Sequence, residues 1–553
     1  MYSTITTKTN TDVQSHSIKE PNQEQNQYIS AVTGWIKWPL LISSFAILTA
    51  CGGGGGSGSD STTTSEDTTT AADEETTVEL TANDEALLQI IADSNLDQSS
   101  VDERNLPDIE SPMAQLGMKL FYSKSLGGDF DSACVTCHHP VLGGGDDLSL
   151  PVGVEAVSSD LLGEGREHQD GLPLVPRNAP TVFNIGFWDT GLFWDSRVES
   201  LGQEENANGA SSGIRTPDTA FGVADTNAGN NLVTAQARFP VTSVEEMKTA
   251  AFENGSDNNT IRDHLAARIG DYDEGEGELT TNAWLSEFQT AFGVTSDAST
   301  LITFDNIAEA IGEYERSMVF VDTPWRNYLD GDTTALSENQ KAGAILFFTR
   351  VSEGGAGCAA CHSGELFSDG DHHTVAFPHF GPGKGDGNDD DFARERETGD
   401  STDRYRFRTP SLLNIATTAP YGHVGAYQTL EEVVRHYTNP TGRVRDFFDD
   451  GGWCQLPQFE EVTNCASLYP NAETNSNLAL NKLAQDRAND DTRFPENPRL
   501  NNTEVNQLVA FLEALTDPCV EDRACLDPWI PDTSDTGPDG NQLNAIDRNG
   551  ELL

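Results

Sequence analysis

The pattern C-x-x-C-H occurs twice in this chain, as Cys134, Cys137 and His138 and again as Cys358, Cys361 and His362. A C-x-x-C pair alone is open to three readings: a redox dithiol, half of a zinc site, or a covalent anchor for haem. The histidine narrows them. Two thiols can add to the vinyl groups of a haem while the adjacent imidazole ligates iron from one face. A dithiol catalyst has no need of that histidine, and a zinc site requires two more ligands at similar spacing. With two copies, coincidence is a poor account, and the chain reads as a carrier of two c-type haems.

The remaining cysteines and the charge bound the setting. Nine cysteines are present, and four belong to the motifs. Cys454 with Cys465, and Cys519 with Cys525, read as two short-loop disulfides, which persist only in an oxidising compartment. Cys51 ends "PLLISSFAILTAC", an apolar run of signal-peptide length and short for a membrane span. Its last four residues resemble a bacterial lipobox, which implies cleavage before Cys51, lipidation of its thiol and anchoring at a membrane surface. Residues 1–50 are therefore expected to be a lipoprotein signal peptide, although the segment before the apolar run is unusually long. From Gly52 to Glu103 there is no Lys or Arg, and the Gly/Ser/Thr-rich acidic stretch over 51–82 reads as a flexible leash. The formal net charge of −56 excludes nucleic acid as a natural partner and suits a strongly solvated surface.

With 553 residues there is room for two or three domains. Helical patterning begins near "NDEALLQIIADS" and resumes at "SPMAQLGMKLFYS", where Ser111 caps and Pro112 suits the first turn. "FDNIAEAIGEYERSMV" (304–319) is amphipathic, and "LSENQKAGAILFF" opens with Ser337 and Gln340 in a capping-box arrangement. Each haem motif follows a helix ending in an aromatic pair, Phe121-Tyr122 or Phe347-Phe348. This coarse repeat predicts a mainly α fold of two cytochrome c-like haem domains, 83–330 and 331–530, with long loops and few strands. "EENANGASSGIRTPDTAFGVADTNAGNN" is expected to be an exposed insertion. The tail 531–553 carries no functional signal.

Several segments together resemble the bacterial di-haem cytochrome c peroxidase and MauG family: "LFYSKSLGGDFDSACVTCHHP", "RNAPTVFN", "LFWDSRVESL", "PVTSVEEM" and "FRTPSLLNIATTAPYGHVGAYQTLEEVVRHY". The similarity runs through about residues 105–445 in order. It implies a peroxide-reactive N-terminal haem ligated by His138, with an acid/base group that moves a proton between the peroxide oxygens. Glu246 matches that position, and Glu245 is its neighbour. His168 lies near the place where conventional members carry a histidine that occupies the iron at rest, and His139 reads as a local hydrogen-bonding group. Trp194 matches a tryptophan that bridges the haems, with Trp188 as a packing residue. A calcium site between the halves maps to Asn178, Thr418 and Pro420, the last two through backbone oxygens.

The second haem, ligated by His362, distinguishes branches of the family. Conventional members supply methionine as its sixth ligand, and this chain has none after Met318. The matching position is Tyr437, the MauG choice, with His436 as competitor on the same helix. His423 is expected near a propionate. The resemblance thus implies an oxidoreductase reducing hydrogen peroxide, with a small cytochrome or cupredoxin as donor or, as in MauG, a residue of a partner protein as substrate. It also implies two haem c groups, calcium, a place in the bacterial cell envelope, and self-association as a homodimer. A non-enzymatic di-haem electron carrier is the rival from another class; it requires both irons saturated and leaves Glu246 without a role.

Overall fold

The computed structural model describes residues 79–94, 96 and 104–553. The expected signal segment, Cys51 and most of the leash lie outside the described residues. Among the described residues no helix is long and apolar enough to cross a membrane.

The helices form where their caps dictate. The Ser111 Oγ accepts the Ala114 N–H at 3.3 Å to open Pro112–Phe121, with Pro112 in the turn where a missing donor costs nothing. Ser337 and Gln340 make both arms of a capping box at the start of Glu338–Phe348, at 3.4 and 2.8 Å. The other two expected helices are Ala82–Ser94 and Phe304–Arg316.

Each helix that precedes a haem motif crosses a later helix at a glycine. A Cβ on Gly117 would stand 1.9 Å from the Ala310 carbonyl oxygen, and one on Gly343 would stand 1.9 Å from that of Gln507, in Asn502–Glu513. Both glycines lie four residues before the first aromatic of the pair, Phe121 or Phe347. The repeat therefore extends from the motif to the way its helix packs.

Each half has its own core. Phe121, Trp284, Phe288, Ile307 and Ile311 fill the first. Trp325, Phe347, Phe367 and Phe511 fill the second, with Phe511 5.2 Å from both Trp325 and Phe347 between ring centres. Fully burying one such side chain contributes on the order of 2 kcal/mol.

The termini cross the expected boundaries. Ala82–Ser94 belongs to the second half: Leu87 and Ile91 join its core, and Asp84 accepts from Tyr328 Oη at 2.9 Å and pairs with Lys341 at 2.8 Å. Pro324–Leu329 belongs there too, through Trp325 and Tyr328. The tail instead returns to the first half. Tyr314 Oη donates to Trp529 O at 2.7 Å, Trp284 Nε1 to Asp539 at 2.8 Å, and Leu543 N to Tyr122 O at 2.8 Å. A contiguous division of the sequence cannot register such an exchange, because each terminal segment finds its apolar partner in the half more distant along the chain.

Strands are few and short. Gly191–Leu192, Val198–Ser200 and Ile214–Arg215 make an antiparallel sheet in that order, with Leu192 opposite Val198 and Ser200 opposite Ile214. His372–His373 pairs with Phe407–Arg408. Ile214–Arg215 corrects the expected insertion, which is not exposed throughout: Ile214 packs with Leu232 and Val233, and Arg215 pairs with Glu397 at 2.6 Å. Cys454–Cys465 and Cys519–Cys525 are bonded, at Cα separations of 5.7 and 5.3 Å. The first holds a lobe whose Trp453, Phe459 and Tyr469 pack on Phe380 and Leu150.

Candidate haem sites and the seam between them

The first motif lies on a single 3-10 turn, Cys134–Thr136, which the Thr136 hydroxyl stabilises by accepting the Ala133 N–H at 3.0 Å. Cys134 and Cys137 are free thiols beside His138. The His138 Nδ1–H donates to Gly144 O at 3.2 Å, which makes Nε2 the nitrogen with the free lone pair. Burial pushes the imidazole down to about 4, so it is neutral as a ligand must be. His139 accepts the Val141 N–H at 3.2 Å, the local role expected of it.

Cys134, Cys137 and His138 line a cleft of about 840 Å³, open solvent at its mouth included, together with Trp194 and Glu246. Glu246 sits in a π-helical turn, Val244–Lys248, and is partly buried. Glu245 in the same turn is exposed and accepts from Ser243 Oγ at 3.2 Å. The tighter-than-π alternative would redirect both side chains; the wider turn separates the two carboxylates between cavity and solvent. Two free thiols, a neutral imidazole and a cavity around them fit a covalently bound haem.

His168 corrects an expectation. It is buried in another part of the first half, paired with Ala156 in a β-bridge. Its Nδ1 accepts the Asp170 N–H at 3.0 Å, its Nε2 lies 3.3 Å from Glu155, and it is not among the residues that line the cavity.

The second motif repeats the support of the first. Cys358 and Cys361 are free, and the His362 Nδ1–H donates to Phe367 O at 2.9 Å. Burial lowers the basicity of His362. Its surroundings differ. Tyr437 lies edge-on to Phe377 and Phe494, at 5.8 and 5.6 Å between ring centres; burial first, and then the fields of Cys361 and Cys358, push its phenol well above the ordinary range. His436 is taken up elsewhere. Its Nδ1 accepts from Tyr427 Oη at 2.8 Å, its Nε2–H donates to Val375 O at 2.9 Å, and Phe377 stacks on it at 4.3 Å. With both nitrogens occupied, His436 is corrected from competing ligand to packing and hydrogen-bonding residue.

Between the motifs runs a seam of buried charge that the sequence reading missed. Arg177 donates to Asp391 at 2.6 and 2.7 Å and to Asp195 at 2.6 Å. Burial alone would raise both carboxyls, but the Arg177 guanidinium outweighs it and holds them well below the usual range. Trp194 is built into the seam: its Nε1 donates to Asn178 O at 2.9 Å, and its own carbonyl accepts the Arg408 N–H at 2.8 Å. Trp188 packs in the small core under the sheet, with the Arg408 guanidinium 3.8 Å from its ring centre. The Asn178 N–H donates to His423 O at 2.9 Å, which docks Asn178 on the segment carrying Thr418 and Pro420. His423 stacks on Phe407 at 4.0 Å and bonds His379 at 3.1 Å. The sequence signal for the seam was the lone arginine of "VPRNAP" and the acidic run of "GNDDDFARER", which read as solvated loop until the two segments meet.

Residues 111–334 match the model of the di-haem cytochrome c peroxidase family. This part of the chain carries the likeness to that family. Among relatives, it is 27% identical over 322 residues to the methylamine utilization protein MauG of Methylorubrum extorquens, covering 58% of this chain and 67% of that one. It is 28% identical over 355 residues to cytochrome c551 peroxidase of Pseudomonas aeruginosa, covering 62% and 79%. A solved MauG-like protein associated with microbial copper homeostasis aligns at a TM-score of 0.46 and 22% identity, over 77% of this chain and 97% of that one. The chain is thus a di-haem c-type oxidoreductase of the peroxidase and MauG kind, with two haem c groups as its cofactors.

Proposed function

We propose that this chain reduces hydrogen peroxide in the cavity of the first motif and that its second centre is of the MauG type, where Tyr437 rather than a methionine would join His362 in holding the haem. The observation that supports this most is that both nitrogens of His436 are engaged, by Tyr427 and Val375, while Tyr437 is buried against Phe377 and Phe494 in the field of the motif cysteines. Bound haem supplies iron that exchanges electrons at each motif. The protein supplies the rest. Glu246 takes a proton from one peroxide oxygen and returns it to the other, so that peroxide, two protons and two electrons become two waters. The Gly144 and Phe367 carbonyls hold His138 and His362 in one tautomer and orientation. Trp194 lies on the covalent and hydrogen-bonded route between the halves, a position suited to passing electrons. Tyrosinate disfavours a reduced second centre, which suits storage of oxidising equivalents and, as a second reading, oxidation of a residue in a partner protein.

Calcium at Asn178, Thr418 and Pro420, a small cytochrome or cupredoxin as donor, and a homodimeric state belong to the same proposal. So does lipid attachment at Cys51 in the cell envelope, which the two disulfides support through the oxidising compartment they require. The test mixes the fully oxidised protein, and separately a half-reduced sample, with one equivalent of hydrogen peroxide in a stopped-flow spectrometer. The proposal expects the fully oxidised form to change spectrum at once. A response confined to the half-reduced form would make this a conventional peroxidase, and silence in both would leave an electron carrier.

A further inference from the structure

The cavity of the first motif is completed by a residue from the second half. Lys384 lines it, carried on the loop "GPGKG", which starts after Phe380. The loop is shaped to bring it there: Gly383 has φ +64° and a Cβ on it would stand 2.1 Å from Asp390 O, a packing only glycine permits. Asp391, next along, is locked by Arg177.

Lys384 stands among charges of both signs. Arg177 and Arg197 face it together with Asp195 and Glu246. Arg177 is consumed by Asp195 and Asp391, and Arg197 shares Asp195 at 3.2 Å while lying over the Phe193 ring. Among the described residues Lys384 forms no ion pair, and burial followed by repulsion from the two arginines draws its ammonium down to about 8. Glu246 lines the same cavity but is not bonded to Lys384, so this partly buried ammonium has no direct counter-ion among the described residues, and a bonded anion would stabilise it. A haem fixed at its vinyl edge by Cys134 and Cys137 presents two propionate carboxylates from its opposite edge.

We infer that Lys384 pairs with a propionate of the first haem, so that a residue of the second half closes and electrostatically tunes the peroxide site. Lys384 is a positioning residue for the cofactor, and the inference rests on the reading that the first motif holds haem.

The test compares the purified holoprotein with Lys384→Met and Lys384→Arg. Haem is counted by the pyridine haemochrome spectrum, and both midpoint potentials are measured by redox titration. Loss of the positive charge leaves a propionate uncompensated and favours the oxidised state, so Lys384→Met is expected to lower the potential of the first haem alone. Lys384→Arg is expected to restore it. If Lys384→Met takes up no haem, Lys384→Gln, which keeps a polar tip, carries the same measurement. Two haems per chain with an unmoved first potential, or a shift in the second haem instead, overturns this inference alone. Fewer than two haems in the wild-type protein overturns the underlying reading with it.

Discussion

The two halves hold the same motif in the same way and surround it differently. In each, a glycine-crossed helix ends in an aromatic pair, a 3-10 turn carries the cysteines, and a backbone carbonyl orients the histidine. Beyond the histidine the halves diverge. The first opens into a cavity with a carboxylate and a lysine, Glu246 and Lys384. The second places a phenol, Tyr437, among Phe377 and Phe494. A repeated scaffold thus carries both motifs, while the side chains around each histidine differ between the halves.

The strongest way to break the comparison is at the open side. Glu246→Gln keeps the shape and removes the proton carrier, so the rate with peroxide is expected to fall by about 10²- to 10⁴-fold. Both haem spectra should be preserved. A similar rate in the variant, measured by stopped flow, would assign the proton transfer to another group.

Arg177→Met tests whether the seam holds the halves as one unit. Removing the guanidinium leaves Asp195 and Asp391 buried and unpaired, a loss of about 3–5 kcal/mol. Calorimetry is expected to show a lower and broadened transition; an unchanged transition would mean that the carboxylates find water or another cation.

Gly117→Ala and Gly343→Ala sharpen the likeness between the halves. Each methyl must displace a helix backbone, costing about 1–3 kcal/mol or more. Equal losses in denaturant titrations are expected if the crossings are equivalent, and unequal losses would show that one half tolerates a shifted helix.

The smallest effect concerns the exchanged first helix. Burial would raise Asp84, but hydrogen bonds from Lys341, Thr81 and Tyr328 bring it down to about 2. A depressed carboxyl stabilises above its unfolded value near 4 and loses that contribution as pH falls to about 2. Amide protection of Leu87 and Ile91 is therefore expected to decline between those values, ahead of Phe347 and Phe511. Loss of protection in step with that core would mean the helix is not separately docked.

Much of the scaffold was legible because its signals are local. Ser111, Pro112, Ser337 and Gln340 act within one helical turn, and a C-x-x-C-H motif or a disulfide pair with a short loop needs few distant partners. His168 shows the limit: its spacing from Asn178 suggested an iron ligand, yet the bridge to Ala156 holds it away from the cavity.

By itself, the sequence determined that two C-x-x-C-H motifs recur on a repeated helical scaffold, the pattern from which two haem c groups are expected. The resemblance had already preferred Glu246 over Glu245 and Tyr437 over His436; tertiary structure added that Glu246 lines the cavity and that both His436 nitrogens are engaged elsewhere. It also brought Lys384 across from the other half. Adjacent helical residues point about 100° apart, and their chemical value depends on what distant segments place opposite them. For His436 those partners are Val375 and Tyr427, whose approach depends on the packing of the whole second half.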